Sequence, residues 1–174
     1  MNIFVSSECP VECAKFLDTK RVIKMVVETG QILSTAIVYS KNPEYFIDNS
    51  PKNKSLRSMS AVNLGIYKPT HVNHPCSVWV RQTKGNFDWL YAHFEALIAE
   101  YTLRTGNSHK TAQIKDLIAQ NRHHLPDGPL KPFVNCAAND SKGISYKNVS
   151  NVFLAYKLYL NDRWDTDAKP PKWD

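Results

Sequence analysis

The run from Asp18 to Tyr39, DTKRVIKMVVETGQILSTAIVY, limits the fold more than any other stretch. At about 100° per residue, Val22, Ile23, Met25, Val26, Val27, Ile32, Leu33, Ala36 and Ile37 spread over roughly 220° of a helix surface. A helix that apolar has to be wrapped by other elements, so much of the chain must gather round it. The remaining sector, within about 80°, holds Arg21, Lys24, Glu28, Gln31 and Thr35. It is either a thin solvent window or the wall of an internal cleft. A Lys24–Glu28 pair in a cleft needs partners, because unpaired buried charge is costly. Pro10 marks a helix start, and the segment from Pro10 to Tyr39 reads as one or two helices, with Gly30 a weak point.

A second long helix is expected from Asn86. The same projection puts Asn86, His93, Glu100 and Arg104 within roughly 40° of one another, beside an apolar face of Phe87, Leu90, Phe94, Ile98 and Tyr101. Gly106 suits its C-terminal cap. The plain reading of the stripe is a core edge with Glu100 paired to Arg104. The functional reading is a second cleft wall that faces Lys24 and Glu28 and offers an acid, a base and a cation. Before this helix, His71, His74 and Cys76 look like half of a metal site. A closed zinc site takes four ligands, however, and no CxxC or HxxxH completes the set. Cys9 and Cys13 have no second pair either. No metal and no cofactor are therefore expected, and His71, Asn73 and His74 read as backbone-bonded or phosphate-contacting groups. Pro75 biases His74 to an extended conformation and suits the first turn of a short helix through Trp79 to Arg81.

Elsewhere, Met1 to Val5 reads as a short strand. Lys41 to Gly65, with Lys41, Lys52, Lys54 and Arg57, reads as a long basic surface loop. A helix is expected within His109–His124, an irregular path through LPDGPLKPFVNCAAN, and a last helix over Val149–Trp164 with Val149, Phe153, Tyr156 and Leu160 inward. Residues 165–174 form a Pro-rich extended tail that Trp173 should pin. The expected fold class is mainly α: one compact helical domain over residues 1–174, with a short N-terminal strand and long loops.

Lys and Arg number 22 against 16 Asp and Glu, a net charge of +6, and the pI is about 9.1. That balance favours a polyanionic partner, DNA or a nucleotide. With 43% hydrophobic residues and six Gly the chain reads as globular. Four Cys without a signal-peptide pattern suggest free thiols and a cytoplasmic protein, and no run approaches transmembrane length, so no membrane partner is expected. The absence of GxGxxG, P-loop, GxSxG and HExxH patterns removes the common dinucleotide, NTPase, hydrolase and zincin readings. Candidate phosphate or nucleic-acid contacts are Arg21, Gln31, His71, Asn73, His74, Arg81, Asn86, Arg104 and Lys110. Tyr67, Trp79 and Trp89 are either base-stacking surfaces or ordinary core aromatics. The alternative to an enzyme is a non-catalytic nucleic-acid-binding or host-protein-inhibiting module.

The strings DTKRVIKMVVETGQILSTA, YKPTHVNHPCSVWVRQTKGNFDWL and EYTLRTGNSHK, with PFVNCAAN, LAYKLYLNDRW and the PKW tail, resemble a family of small, uncharacterised phage proteins over nearly the whole chain. An N-terminal strand leading into a helix with an internal Glu, and LIAEYTLRTGN on a later helix, also resemble the phage pyrimidine-dimer DNA glycosylases of the endonuclease V type. That resemblance implies a compact, basic, helical protein in which a free N-terminal amine attacks the sugar and a helix Glu assists; Glu28 is the matching residue. The sequence departs from the family at Asn2, where a small residue is expected so that the initiator Met can be removed. With Met1 kept, the expectation is N-glycosidic cleavage by a water that Glu28 or Glu100 activates as general base, with Lys24 or a histidine such as His93 stabilising charge.

Overall fold

The computed structural model describes all 174 residues. It is built from seven α-helices: α1 (Pro10–Phe16), α2 (Thr19–Lys41), α3 (Pro51–Leu64), α4 (Pro75–Val80), α5 (Lys84–Thr105), α6 (Lys115–Gln120) and α7 (Val152–Thr166). The only sheet is a two-strand hairpin, Ala138–Asn139 (β1) antiparallel to Ile144–Ser145 (β2). The mainly α class is as the sequence suggests.

α2 is the axis. Val22, Met25, Val26, Ile32, Leu33, Ala36, Ile37 and Val38 are all buried, and α5, α4 and the turn at Lys110–Ile114 pack around them. The expectation that no run approaches membrane-spanning length is corrected here. α2 is long and apolar enough to cross a membrane by length and composition, with a mean hydropathy of 1.3, but 67% of that window is buried inside the protein. It has the signature of a core helix because it is one. Gly30 lets the turn approach closely: a Cβ there would lie 2.9 Å from Thr111 Cγ2.

The polar stripe of α5 does not face α2. Two of its members, His93 and Arg104, bond backbone carbonyls of α1 and its C-cap instead. Arg104 binds the Leu17 carbonyl at 2.7 Å and the Lys15 carbonyl at 3.2 Å, while pairing with Glu100 at 2.8 Å. His93 is completely buried, bonds the Pro10 carbonyl through Nδ1 at 2.9 Å and stacks on Trp89. A carbonyl can only accept, so Nδ1 carries the ring proton and Nε2 is left without a partner. A short helix such as α1 has end carbonyls that need donors, and the stripe supplies them.

At the other end of the chain, α7 and the tail bracket the α1–α2 junction. Asp18 accepts from Arg21 at 2.6 Å and from the Trp164 indole at 2.8 Å, and Arg21 reaches on to Asp167 at 3.0 Å. Trp173 packs edge-on against Trp164 and donates to the Phe16 carbonyl. Burial acts to raise the Asp167 carboxyl, but Arg21 and Lys20 outweigh it and hold the group below its ordinary range.

Two expected elements are absent. Met1–Val5 is irregular, not a strand. The side chain of Asn2 takes the Ile3 and Phe4 amides that a ladder would use, and Phe4 sits at φ 45. The Lys41–Gly65 loop is largely helical: Pro43–Phe46 forms a single 3-10 turn and α3 follows. Ser50 caps α3 through the Asn53 amide, Pro51 starts it and Gly65, at φ 67, ends it.

Burial holds the His93 imidazole down to about 4, although the Pro10 carbonyl bond opposes the shift. A free histidine titrates near 6.5. Between these values the unfolded chain binds the extra proton, so stability is full above pH 6.5 and falls as the pH drops towards 4. His93→Phe should cost about 1–3 kcal/mol at neutral pH, from the unpaired Pro10 carbonyl. Urea melts across this range should nevertheless show a shallower acid loss than the parent protein. Parallel profiles would contradict the assignment.

Candidate active site

The exposed edge of α2 forms the floor of a cavity of about 720 Å³. The N-terminal segment, His74, the strand-forming segment around Cys136 and Asn139, and the α7 side chains Tyr159 and Arg163 close it. Glu28 lines it: Oε1 is 3.1 Å from Lys24 Nζ and Oε2 is 3.9 Å from the Met1 amino nitrogen. Lys24 is 72% exposed, whereas Glu28 is 15% exposed. Lys20, Arg21, Lys24, Lys147 and Arg163 line the walls against only two carboxylates, Glu28 and Asp140, so the cavity is electropositive.

The first residues are held firmly. Asn2 Oδ1 accepts the Ile3 amide at 2.8 Å, and its Nδ2 donates to the Cys136 carbonyl at 3.1 Å. Ser77 bonds the Met1 sulfur at 3.6 Å. Phe4, in its left-handed backbone conformation, stacks on Tyr159 at 6.1 Å between ring centres and meets Tyr156 edge-on. Such strain persists only where the surroundings over-determine it, as these contacts do. The Met1 nitrogen is thereby fixed beside Glu28.

His74 opens α4 as its N-cap, with Nδ1 accepting the Cys76 amide at 3.2 Å. Burial, then the Met1 ammonium and His71, hold its imidazole below the usual histidine range against the opposing pull of Glu28. Beside it, the ligand atoms of His74, Cys76 and Cys136 lie within 4.8 Å of one another, and all four cysteines are free thiols. The neighbouring Cys136 side chain pushes the Cys76 thiol well up, with burial adding to it, while Cys76 in turn holds Cys136 down.

Of the residues singled out in the sequence, Arg21, Lys24, Glu28 and His74 meet at this cavity. The expected hollow between α2 and α5 does not form, because those helices meet through their apolar faces. Glu100 and Arg104 border a separate depression with Trp173, and His93 is enclosed in the core. Asn86 is buried too: it donates to the Trp79 carbonyl and accepts the Lys131 amide, both at 2.7 Å. Trp79 and Trp89 pack with Phe133 in the core and spend their indole N–H groups on the Pro132 and Glu8 carbonyls. They have no free face for a base. Tyr67 bonds Thr111, and Arg81 stacks over Tyr39 while binding the Val72 carbonyl. Gln31 lies on α2 outside the cavity walls, and Lys110 is exposed at the start of the 3-10 turn. His71 and Asn73 border a second hollow of about 590 Å³ with Arg57 and Asp48, and His74 lies between the two hollows. The Met1 amine, Phe4, Cys136, Lys147 and Arg163 belong to the site but carry no local pattern that would announce them.

Residues 1–114 match the family model for pyrimidine dimer DNA glycosylase. No curated protein matches the chain, and no solved structure does. The matched region runs from Met1 through α5 and contains Met1, Glu28 and His74, while Cys136, Lys147 and Arg163 lie beyond it. DNA is the substrate that this family implies, and the match takes in well over half of the sequence. The chain belongs to the pyrimidine dimer DNA glycosylase family.

Proposed function

We propose that the protein cleaves a glycosidic bond in DNA with the amino group of Met1 as nucleophile and Glu28 as proton carrier. The observation that carries this reading is the 3.9 Å approach of Met1 N to Glu28 Oε2 on the floor of a cationic cavity. The large Asn2 is then no obstacle, because no residue has to be removed to bring an amine to the carboxylate. The Met1 nitrogen is also enclosed in the cavity, whereas Lys24 and Lys20 are 72% and 69% exposed, which favours Met1 as the attacking group.

The chemistry balances with these two residues. Attack requires a neutral amine, and Glu28 is the adjacent carboxylate that can take the ammonium proton. The nitrogen then bonds to C1′ as the C1′–base bond breaks. The base leaves with the bonding pair and is protonated from solvent. The nitrogen returns a second proton to solvent, Glu28 gives its proton to the ring oxygen as the sugar opens, and a protonated imine joins Met1 N to C1′. Hydrolysis frees the amine.

Lys24, Lys147 and Arg163 are the phosphate contacts of this reading. Arg163 Nε is buried without a partner at the cavity wall, and a guanidinium nitrogen in that state suits a phosphate oxygen. Phe4 and Tyr159 supply the aromatic surface for an extruded base that Trp79 and Trp89 cannot.

Glu28→Gln should lower turnover on dimer-containing DNA by about 10²–10⁴-fold, the usual contribution of a positioned acid–base group. DNA binding should hold or tighten, since one negative charge leaves a cationic cavity. Unchanged turnover would remove Glu28 from the chemistry and leave the protein a binding module. Lys147 is exposed, so Lys147→Ala should fold normally. It should weaken DNA binding and reduce the slope of log affinity against log salt by about one. Charge reversal at Lys52 and Lys54 on α3 should leave that slope alone; the opposite pattern would move the DNA surface to α3.

A further inference from the structure

We propose that His74, Cys76 and Cys136 form a binding site for a borderline-soft divalent metal ion, zinc above all. The three candidate ligand atoms come from segments 60 residues apart in sequence, yet all lie within 4.8 Å of one another. Ligand atoms around a tetrahedral zinc stand about 3.5–3.8 Å apart, given bonds of about 2.0–2.3 Å. A contraction of about an ångström would close the shell. One nitrogen and two sulfurs make a donor set that suits zinc and excludes the hard cations magnesium and calcium.

The backbone around these side chains is already held in place. Cys76 is in the first turn of α4, behind Pro75. The Cys136 amide donates to Tyr156 Oη at 3.1 Å, while its carbonyl accepts from Asn2 Nδ2 at 3.1 Å and from the Ala138 amide at 2.8 Å. Both thiols are unoxidised. Loading through His74 Nδ1 would require it to release the Cys76 amide, a contact already long at 3.2 Å, whereas Nε2 carries no such bond. Zinc binds the sulfurs as thiolates, so their protons leave to solvent. His74 and Cys136 also line the cavity that holds Met1 and Glu28, so the fourth position opens towards water or the Met1 amine. Three protein ligands with one open position describe a reactive zinc site rather than a closed structural one. Metal there would compete with the proton for the Met1 nitrogen and slow turnover. That consequence rests on the amine mechanism, whereas the binding itself does not.

The test is metal uptake by the full chain after reduction with a non-thiol phosphine. Excess zinc or cobalt is added and removed by dialysis, and metal is measured by elemental analysis. The parent protein and Cys9→Ser should each retain one equivalent, and their cobalt forms should show sulfur-to-metal charge-transfer absorption. Cys136→Ser and His74→Ala should lose both signals while keeping the parent's circular dichroism. Equal retention in Cys136→Ser, or a cobalt form without the charge-transfer band, overturns the site. Retained metal with unaltered turnover would leave the site standing and sever it from the amine mechanism.

Discussion

The burial of α2 is the constraint from which the rest of the architecture follows. A helix that is apolar around most of its circumference can keep only one narrow edge wet. The core closes over Val22, Met25, Val26, Leu33 and Ile37, and the N-terminal segment and α7 rise on either side of what remains. The hydrophilic edge thus becomes the floor of a cavity and not an open surface. Charges on such a floor have a protein wall behind them and solvent only in front. The Met1 ammonium and Glu28, both largely buried, therefore interact more strongly than the same pair would on an exposed helix, while Lys24 remains solvated.

A second feature is the fixing of the chain's first residues. Leading residues are commonly loose unless something ties them down. Asn2 ties them here by bonding two neighbouring amides and the distant Cys136 carbonyl, and Phe4 accepts a left-handed backbone to reach Tyr159 and Tyr156. The clasp of Asp18, Arg21, Trp164 and Asp167 performs the matching task at the other end. It fixes α7, and with it Arg163, against the start of α2. The cavity is therefore bounded by the first residues of the chain on one part of its wall and by α7 on another.

The helices were largely legible in the sequence because their signals are local. Period, Pro75 at a helix start and Gly106 at a helix end need no knowledge of the fold. α3 escaped because its signal is of another kind: Ala61 is its one buried residue, so no apolar period exists, and only the Ser50-Pro51 start and Gly65 stop betray it. The α5 stripe shows a different limit. Asn86, His93, Glu100 and Arg104 are on one edge as expected, but a single helix cannot say what that edge meets: His93 and Arg104 meet backbone carbonyls between Pro10 and Leu17, and Asn86 meets Trp79 and Lys131. The α2 half of the site was readable as a polar edge. The other half was not, because Met1 has no motif and Cys136, Lys147 and Arg163 arrive from far along the chain.

The amine beside Glu28 is tested most directly by trapping. The protein is incubated with DNA carrying a pyrimidine dimer in the presence of borohydride, which reduces an imine to a stable secondary amine, and the cross-linked peptide is mapped by mass spectrometry. A covalent adduct on the nitrogen of Met1, absent when that amine is acetylated, is the result expected. Base release without any adduct, or an adduct confined to Lys20 or Lys24, would contradict the account.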